Sequence, residues 1–202
     1  MDISICAYNK KDYDQVLDVT MTLWHLKMKP YTKKSMSFNK HIIDDTKTIP
    51  KTVNNGIYVA KINGKVAGVI HIHFQGKITS HDKGLNVCTL IFKYGLFKLL
   101  KVRKMSRLFD VDVKKDELHI HGIAVDKAYR KKGIATKLIS YVTELAKQKQ
   151  LKKVTLDVLD TNENAYRLYL ALNFKVTGKT IFNKREQKAF KAYEQYHMTL
   201  HI

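Results

Sequence analysis

Glu117, His119 and His121 alternate in "ELHIHGIAV" (117–125). On an extended strand all three side chains share one face. Imidazole has an unperturbed pKa of about 6.5 and suits proton transfer near neutral pH, and a carboxylate beside it is a second candidate acceptor. Directly after comes "DKAYRKKGIATK" (126–137), a basic turn that opens a helix. A helix N-terminus has backbone N–H groups without partners and partial positive charge, so a phosphate binds well there. Gly133 removes a side chain where a ligand would approach the backbone, and Ala135 keeps the next contact small. Lys127, Arg130, Lys131, Lys132 and Lys137 add charge around the turn. The junction suits a pyrophosphate close to a proton acceptor. It matches neither G-x-x-x-x-G-K-[ST] nor G-x-G-x-x-G.

The elements that must position these residues can be read along the chain. "ISICAY" (3–8) has strand character, and 10–28 carries a broad apolar face from Val16 to Trp24 that predicts a helix. Pro30 and Pro50 bracket a polar stretch with room for a short second helix. Two β-rich runs flank Asn63-Gly64 in 56–74, the strongest two-residue hairpin signal. In 90–109, Lys98, Lys101, Lys104 and Arg107 recur every three residues among apolar ones, which predicts one basic amphipathic helix. Strands are expected over 117–125 and 152–160, with helices over 132–150 and 162–172. Asn162 stands at the N-cap position of the second of these. A closing strand pair, 174–182 and 192–200, flanks a basic loop at 183–190. Gly122 is a candidate bulge, which would change which side chains share the face of the histidines. Strands and helices mixed in this way predict an α/β (α+β) class with a mixed sheet.

Two segments in register resemble the GCN5-related N-acetyltransferases. "IAVDKAYRKKGIATKLI" is similar to that family's motif A, [Q/R]-x-x-G-x-[G/A], filled by Arg130, Gly133 and Ala135. One helix and one strand later, "NENAYRLYLALNF" is similar to N-x-x-A-x-x-L-Y-x-x-x-G-F, matched at Asn162, Ala165, Leu168, Tyr169 and Phe174. Asn173 replaces the usual Gly at a helix end, where Asn is the next most tolerant residue of a left-handed backbone. The resemblance spans essentially the whole chain. It implies one domain over 1–202 with a seven-stranded, mostly antiparallel sheet and two splayed parallel strands at its centre. It also implies acetyl-CoA as the donor. Backbone groups of Ile123, Ala124 and Val125 would pair with the pantetheine. Amides from Lys131 through Lys132, Gly133, Ile134, Ala135 and Thr136 would hold the pyrophosphate, with Arg130 adding charge and Asn162 reaching the pantetheine from the other side. Tyr169 stands at the family's Tyr position and is the candidate acid for the leaving thiolate. "HIHGIAV" is also similar to the corresponding strand of arylalkylamine N-acetyltransferases, so His119, His121 and Glu117 are the candidate bases. The expected reaction is direct transfer of acetyl to a primary amine of a small molecule or peptide, within a ternary complex.

The chain has 202 residues, 45% hydrophobic and 27% charged, with a net charge of +19. Such charge favours anionic partners, and an acceptor entrance lined by the basic helix would favour acidic or anionic acceptors. Cys6 and Cys88 lie far apart in apolar stretches and form neither a disulfide framework nor a zinc spacing. No basic-then-apolar leader and no apolar run of ~20 residues is present, so a cytoplasmic location without a membrane span is expected. A homodimer is compatible with the sequence. "HIHF" (71–74) beside "HIH" (119–121) could gather four imidazoles for zinc, but cross-strand pairing is the commoner use and no metal is expected. Two other classes share the charge and the motifs. One is an acyl-CoA-sensing module without turnover; the other is a ribosome- or nucleic-acid-associated protein, for which no specific recognition motif is present.

Overall fold

A computed structural model describes residues 2–32, 35–46, 49, 56–75, 87–107 and 111–202. The chain runs β1 (Ser4–Ala7), α1 (Tyr13–Thr32), α2 (Met36–Asp45), β2 (Ile57–Ile62) and β3 (Lys65–Phe74), then α3 (Val87–Tyr94) and α4 (Leu96–Arg107). There follow β4 (Glu117–Val125), α5 (Ile134–Gln148), β5 (Lys153–Leu159), α6 (Glu163–Ala171), β6 (Lys175–Ile181), α7 (Lys184–Phe190) and β7 (Glu194–His201). The seven strands form one sheet in the order β1-β2-β3-β4-β5-β7-β6. Every neighbouring pair is antiparallel except β4 and β5, which run parallel.

Each face of the sheet buries an apolar set against helices. Val59, Val69 and Ala124 meet Val16, Leu17, Val19, Met21 and Trp24 of α1. Ile70, Ile72, Leu118, Ile120, Val154 and Leu156 meet Ile134, Leu138 and Val142 of α5 on the other face. The β2–β3 turn has Asn63 at φ 49° and Gly64 at φ 76°, the left-handed pair that a tight hairpin demands. Asn173 is also left-handed, at φ 64°, as expected of the residue standing in for glycine.

Two expectations need correction. The basic segment is two helices, not one. Gly95, at φ 79°, ends α3 and donates its N–H to Ile91 O (2.7 Å), so the interruption is a glycine terminator inside an otherwise periodic pattern. The 183–190 loop contains α7, opened by a capping box in which Asn183 accepts the Glu186 N–H while Glu186 accepts the Asn183 N–H. Cys6 and Cys88 are free and exposed. Pro50 and residues 76–86 and 108–110 lie outside the described residues, as do the side chains of Lys104 and Arg107.

Gly68 on β3 lets α5 approach the sheet. A Cβ there would lie 2.7 Å from Ile134 Cγ2 and 3.2 Å from Leu138 Cδ1. Gly68→Val is therefore expected to destabilise the fold by about 1–3 kcal/mol, read as a lower urea midpoint. An unchanged midpoint would mean that the start of α5 can lift off the sheet without loss.

Candidate active site

The parallel strands part inside their length. β4 and β5 pair from Glu117↔Lys153 to Ile120↔Leu156. Beyond that register β4 continues to Val125 and β5 to Leu159 with no β4–β5 pair among the described residues. On its other edge β4 stays paired with β3 through Ile123, Ala124 and Val125. The backbone of these three residues thus faces the opening on one side only, where a ligand with alternating amides can add as a strand.

The turn after β4 leads to α5. Lys131 and Gly133 are left-handed, at φ 60° and 74°. Gly133 is the N-cap and makes no side-chain cap hydrogen bond, so the first amides of a 15-residue helix are left for another acceptor. Arg130, Lys131 and Lys132 are exposed around it, while the Ile134 side chain is buried and pins the helix start to the core. Arg130 Nε donates to Val125 O at 3.2 Å, folding the guanidinium back toward the end of β4. Ala135 and Thr136 are half-buried in the first turn. Across the opening, Asn162 holds the N-cap position of α6, yet its side chain makes no cap hydrogen bond. The capping role expected of it is not realised, and its exposed amide is left over for a ligand.

Tyr169, on α6, is half-buried with its ring 5.9 Å from that of Phe174. Its hydroxyl has no hydrogen-bond partner among the described residues, and burial pushes it up to about 12. It therefore stays protonated at neutral pH.

The opposite face of the sheet carries the histidines. The pairing of β3 with β4 slips between His71 and Ile72, so that His71 faces Gly122 and Ile72 faces Ile120. His121 is the extra residue of a bulge at Gly122. Its ring stacks near Trp24 of α1 (6.2 Å) and His73 (5.1 Å). His119 is only 3% exposed and shares a 3.0 Å hydrogen bond between Nδ1 and Thr155 Oγ1. Burial, reinforced by His73 and His197 and opposed by Asp157 and Glu117, lowers it from 6.5 to about 4. His119 is neutral at pH 7 but weakly basic. Glu117 is buried and occupied: its Oε1 accepts the Lys114 N–H (2.9 Å) and its Oε2 pairs with Lys153 (3.2 Å). Among the described residues no group of His, Cys, Asp or Glu side chains is placed to hold a metal ion.

Helix α1 covers β3 and β4 on this face, while β5, β7 and β6 line an open cleft of about 650 Å³. Glu117 and His119 form one wall, and Asp157, His197 and Thr180 another. His197 Nδ1 lies 2.6 Å from Asp157 Oδ1, and its Nε2 lies 2.8 Å from Thr180 Oγ1. The carboxylate places the ring proton on Nδ1, so Nε2 accepts the Thr180 hydroxyl at the cleft wall and can take a substrate proton once that hydroxyl turns away. Asp157 is the first β5 residue beyond the last β4 pair, and His197 is its partner on β7. The dyad thus stands where the strands separate. Sequence reasoning missed it, because "LDVLD" and "YEQYHMTL" lie 40 residues apart and only the strand order joins them. The period-2 pattern of β5 was the available signal. Val154, Leu156 and Val158 point into the core, so Thr155 and Asp157 must face the other way. Among the described residues neither α3 nor α4 contributes to the cleft lining.

Comparison with known proteins places this geometry. A family model described as "Acetyltransferase (GNAT) family" matches residues 20–174. Human N-acetyltransferase 8B is 24% identical over 168 residues, 83% of this chain and 60% of that protein. A probable spermine N(1)-acetyltransferase of Bacillus subtilis subsp. natto (strain BEST195) is 29% identical over 76 residues, 37% of this chain and 50% of that protein. The chain thus spans 60% and 50% of the lengths of these curated relatives. A crystal structure described as an acetyltransferase superposes with TM-score 0.67 at 20% identity, covering 98% of this chain and 99% of its own. An agmatine N-acetyltransferase superposes with TM-score 0.60 at 16% identity, covering 100% of both chains. These structures share the seven-stranded mixed sheet with its parallel pair. The chain belongs to the GNAT acetyltransferase family.

Proposed function

We propose that the protein transfers the acetyl group of acetyl-CoA to a primary amine of a small molecule or peptide. The observation that carries this reading is the parting of β4 and β5 beside the uncapped start of α5, with an imidazole-lined cleft on the far side. The pyrophosphate would take the amides of Lys131–Thr136, with Arg130 and Lys132 supplying charge. The pantetheine would lie along Ile123–Val125, with Asn162 opposite. Its thioester would then point through the opening toward Asp157 and His197.

An alkylamine arrives as an ammonium and must lose a proton before it can attack. His197 is the acceptor we assign, because its ring lines the cleft and Asp157 orients it through Nδ1. Burial disfavours the charged form of His119 despite the nearby Asp157, and Glu117 is already held by Lys153. Glu117 and His119 form one wall around the amine. The free amine attacks the thioester carbon, forming the C–N bond. As the tetrahedral intermediate collapses, the C–S bond breaks and the nitrogen loses a second proton. Tyr169 donates to the departing sulfur and recovers its proton. One proton is released overall, and acetylated amine and free CoA result.

Among the described residues the cleft is lined by the acidic Asp112, Glu117 and Asp157 and the basic Lys114 and Lys153, and by none of α3 or α4. The basic segment therefore gives no reason to prefer acidic acceptors. Two of the compared proteins are named for the amines spermine and agmatine. The test is CoA release from acetyl-CoA with spermine, agmatine, free amino acids and basic and acidic peptides, alongside calorimetric CoA binding. CoA binding without turnover of any amine would overturn the enzymatic reading in favour of a sensing module.

His197→Ala should lower kcat/KM roughly tenfold near neutral pH, with the deficit shrinking as pH rises and the amine deprotonates unaided. Asp157→Asn should act in the same direction more weakly. If His197→Ala is silent and His121→Ala is not, the base lies on β4 instead.

A further inference from the structure

The α3–α4 pair presents a surface that the proposed reaction does not use. Leu90, Tyr94, Leu99 and Val102 turn inward onto α1 and α2. Lys93 and Tyr94 both bond to Asp45, which ties the pair to α2. The residues on the outward side are apolar where solvent-facing helix positions are usually polar. Phe92 is 95% exposed and Phe97 81% exposed, flanked by exposed Leu96 and Leu100. A soluble monomer rarely leaves such a group of large apolar side chains in water without a partner.

The charge beside this patch selects the partner. Between Asp82 and Asp110 the sequence has seven Lys or Arg and no Asp or Glu. Lys101 and Arg103 are exposed on α4 next to the apolar residues. Two copies meeting through this face would bring like charges together, so self-association is disfavoured. A nucleic acid would satisfy the cations but not the two phenylalanine rings, which stand out from helix surfaces instead of lining a stacking groove. An anionic bilayer satisfies both. Aromatic and Leu side chains enter the boundary between headgroups and acyl chains, and Lys and Arg remain at the lipid phosphates. No described helix is long and apolar enough to cross a membrane, so the attachment would be peripheral. We infer that α3 and α4 form a docking surface for an anionic lipid bilayer, with Phe92 and Phe97 as its inserted side chains. Among the described residues none of α3 or α4 lines the cleft.

The test is sedimentation of the full chain with phosphatidylcholine vesicles, alone or with about 30 mol % phosphatidylserine, at low and high salt. Binding is expected only to the anionic vesicles, weakened by salt. The double variant Phe92→Ser/Phe97→Ser should lower the bound fraction about tenfold, and Lys101→Glu/Arg103→Glu should lower it further at low salt. Both variants should keep the urea midpoint of the unaltered chain, because all four side chains are exposed. No preference for the anionic vesicles overturns the inference. So does undiminished binding of the phenylalanine variant, since charge alone would then explain it. Concentration-dependent self-association abolished by the same variant would assign the face to a second copy and overturn it as well.

Discussion

Tyr169→Phe is expected to lower kcat about a hundredfold while leaving the KM for acetyl-CoA nearly unchanged. The substitution removes one oxygen and keeps the ring against Phe174, so the fold and the donor site should persist. What disappears is the hydroxyl that burial holds protonated, at about 12. Such a group cannot act by ionising beforehand. It stabilises the leaving sulfur by donating a hydrogen bond, then passes its proton as negative charge builds there. Because that charge exists only in the transition state, the loss should fall on kcat. The measurement is initial rates of thiol release over a range of acetyl-CoA at saturating amine. A kcat within about twofold of the unaltered enzyme would remove Tyr169 from the chemistry. A proportionate rise in KM alone would assign it to binding.

Local patterns made most of the donor side legible. The Asn63-Gly64 turn, the alternation along 117–125 and the basic turn before Gly133 each work through neighbours in sequence. β2, β3, β4 and α5 lie within a few residues of their expected positions. The acceptor side was harder, because the last two strands cross over. β7 inserts between β5 and β6, which brings His197 to Asp157 although the sequence pairs His197 most obviously with its own hairpin. The weight placed on His119 came from the same limitation. Residue type and strand face marked it as a proton acceptor. Its value as one depends on how much of the ring is withdrawn from water, and that is set by Thr155 and the neighbouring strands. Gly95 and Asn183 differ from these. Both carried local signals, a helix terminator and an N-x-x-E capping pattern, that outweigh the apolar periodicity and basic composition around them.

The burial of His119 should also make the fold sensitive to acid. Its folded value, about 4, lies below the 6.5 of an unhindered imidazole. Between these values the unfolded chain binds a proton that the folded chain does not, so stability falls as pH drops through this window and is fully retained above it. Integrated down to about pH 4.5, the loss is about 2.5 kcal/mol from this one residue. Protonating His119 in place would put a buried charge between β4 and Thr155 of β5, so opening of the β4–β5 pair is the expected route of acid unfolding. His119→Asn removes the titration and keeps a polar atom near Thr155 Oγ1. The unaltered chain should therefore lose about 2.5 kcal/mol more than the variant between about pH 7.5 and pH 4.5, as measured by urea unfolding at both. Equal losses would show that the ring is hydrated in solution. A readily protonated His119 would then regain a claim to the proton that His197 is assigned here.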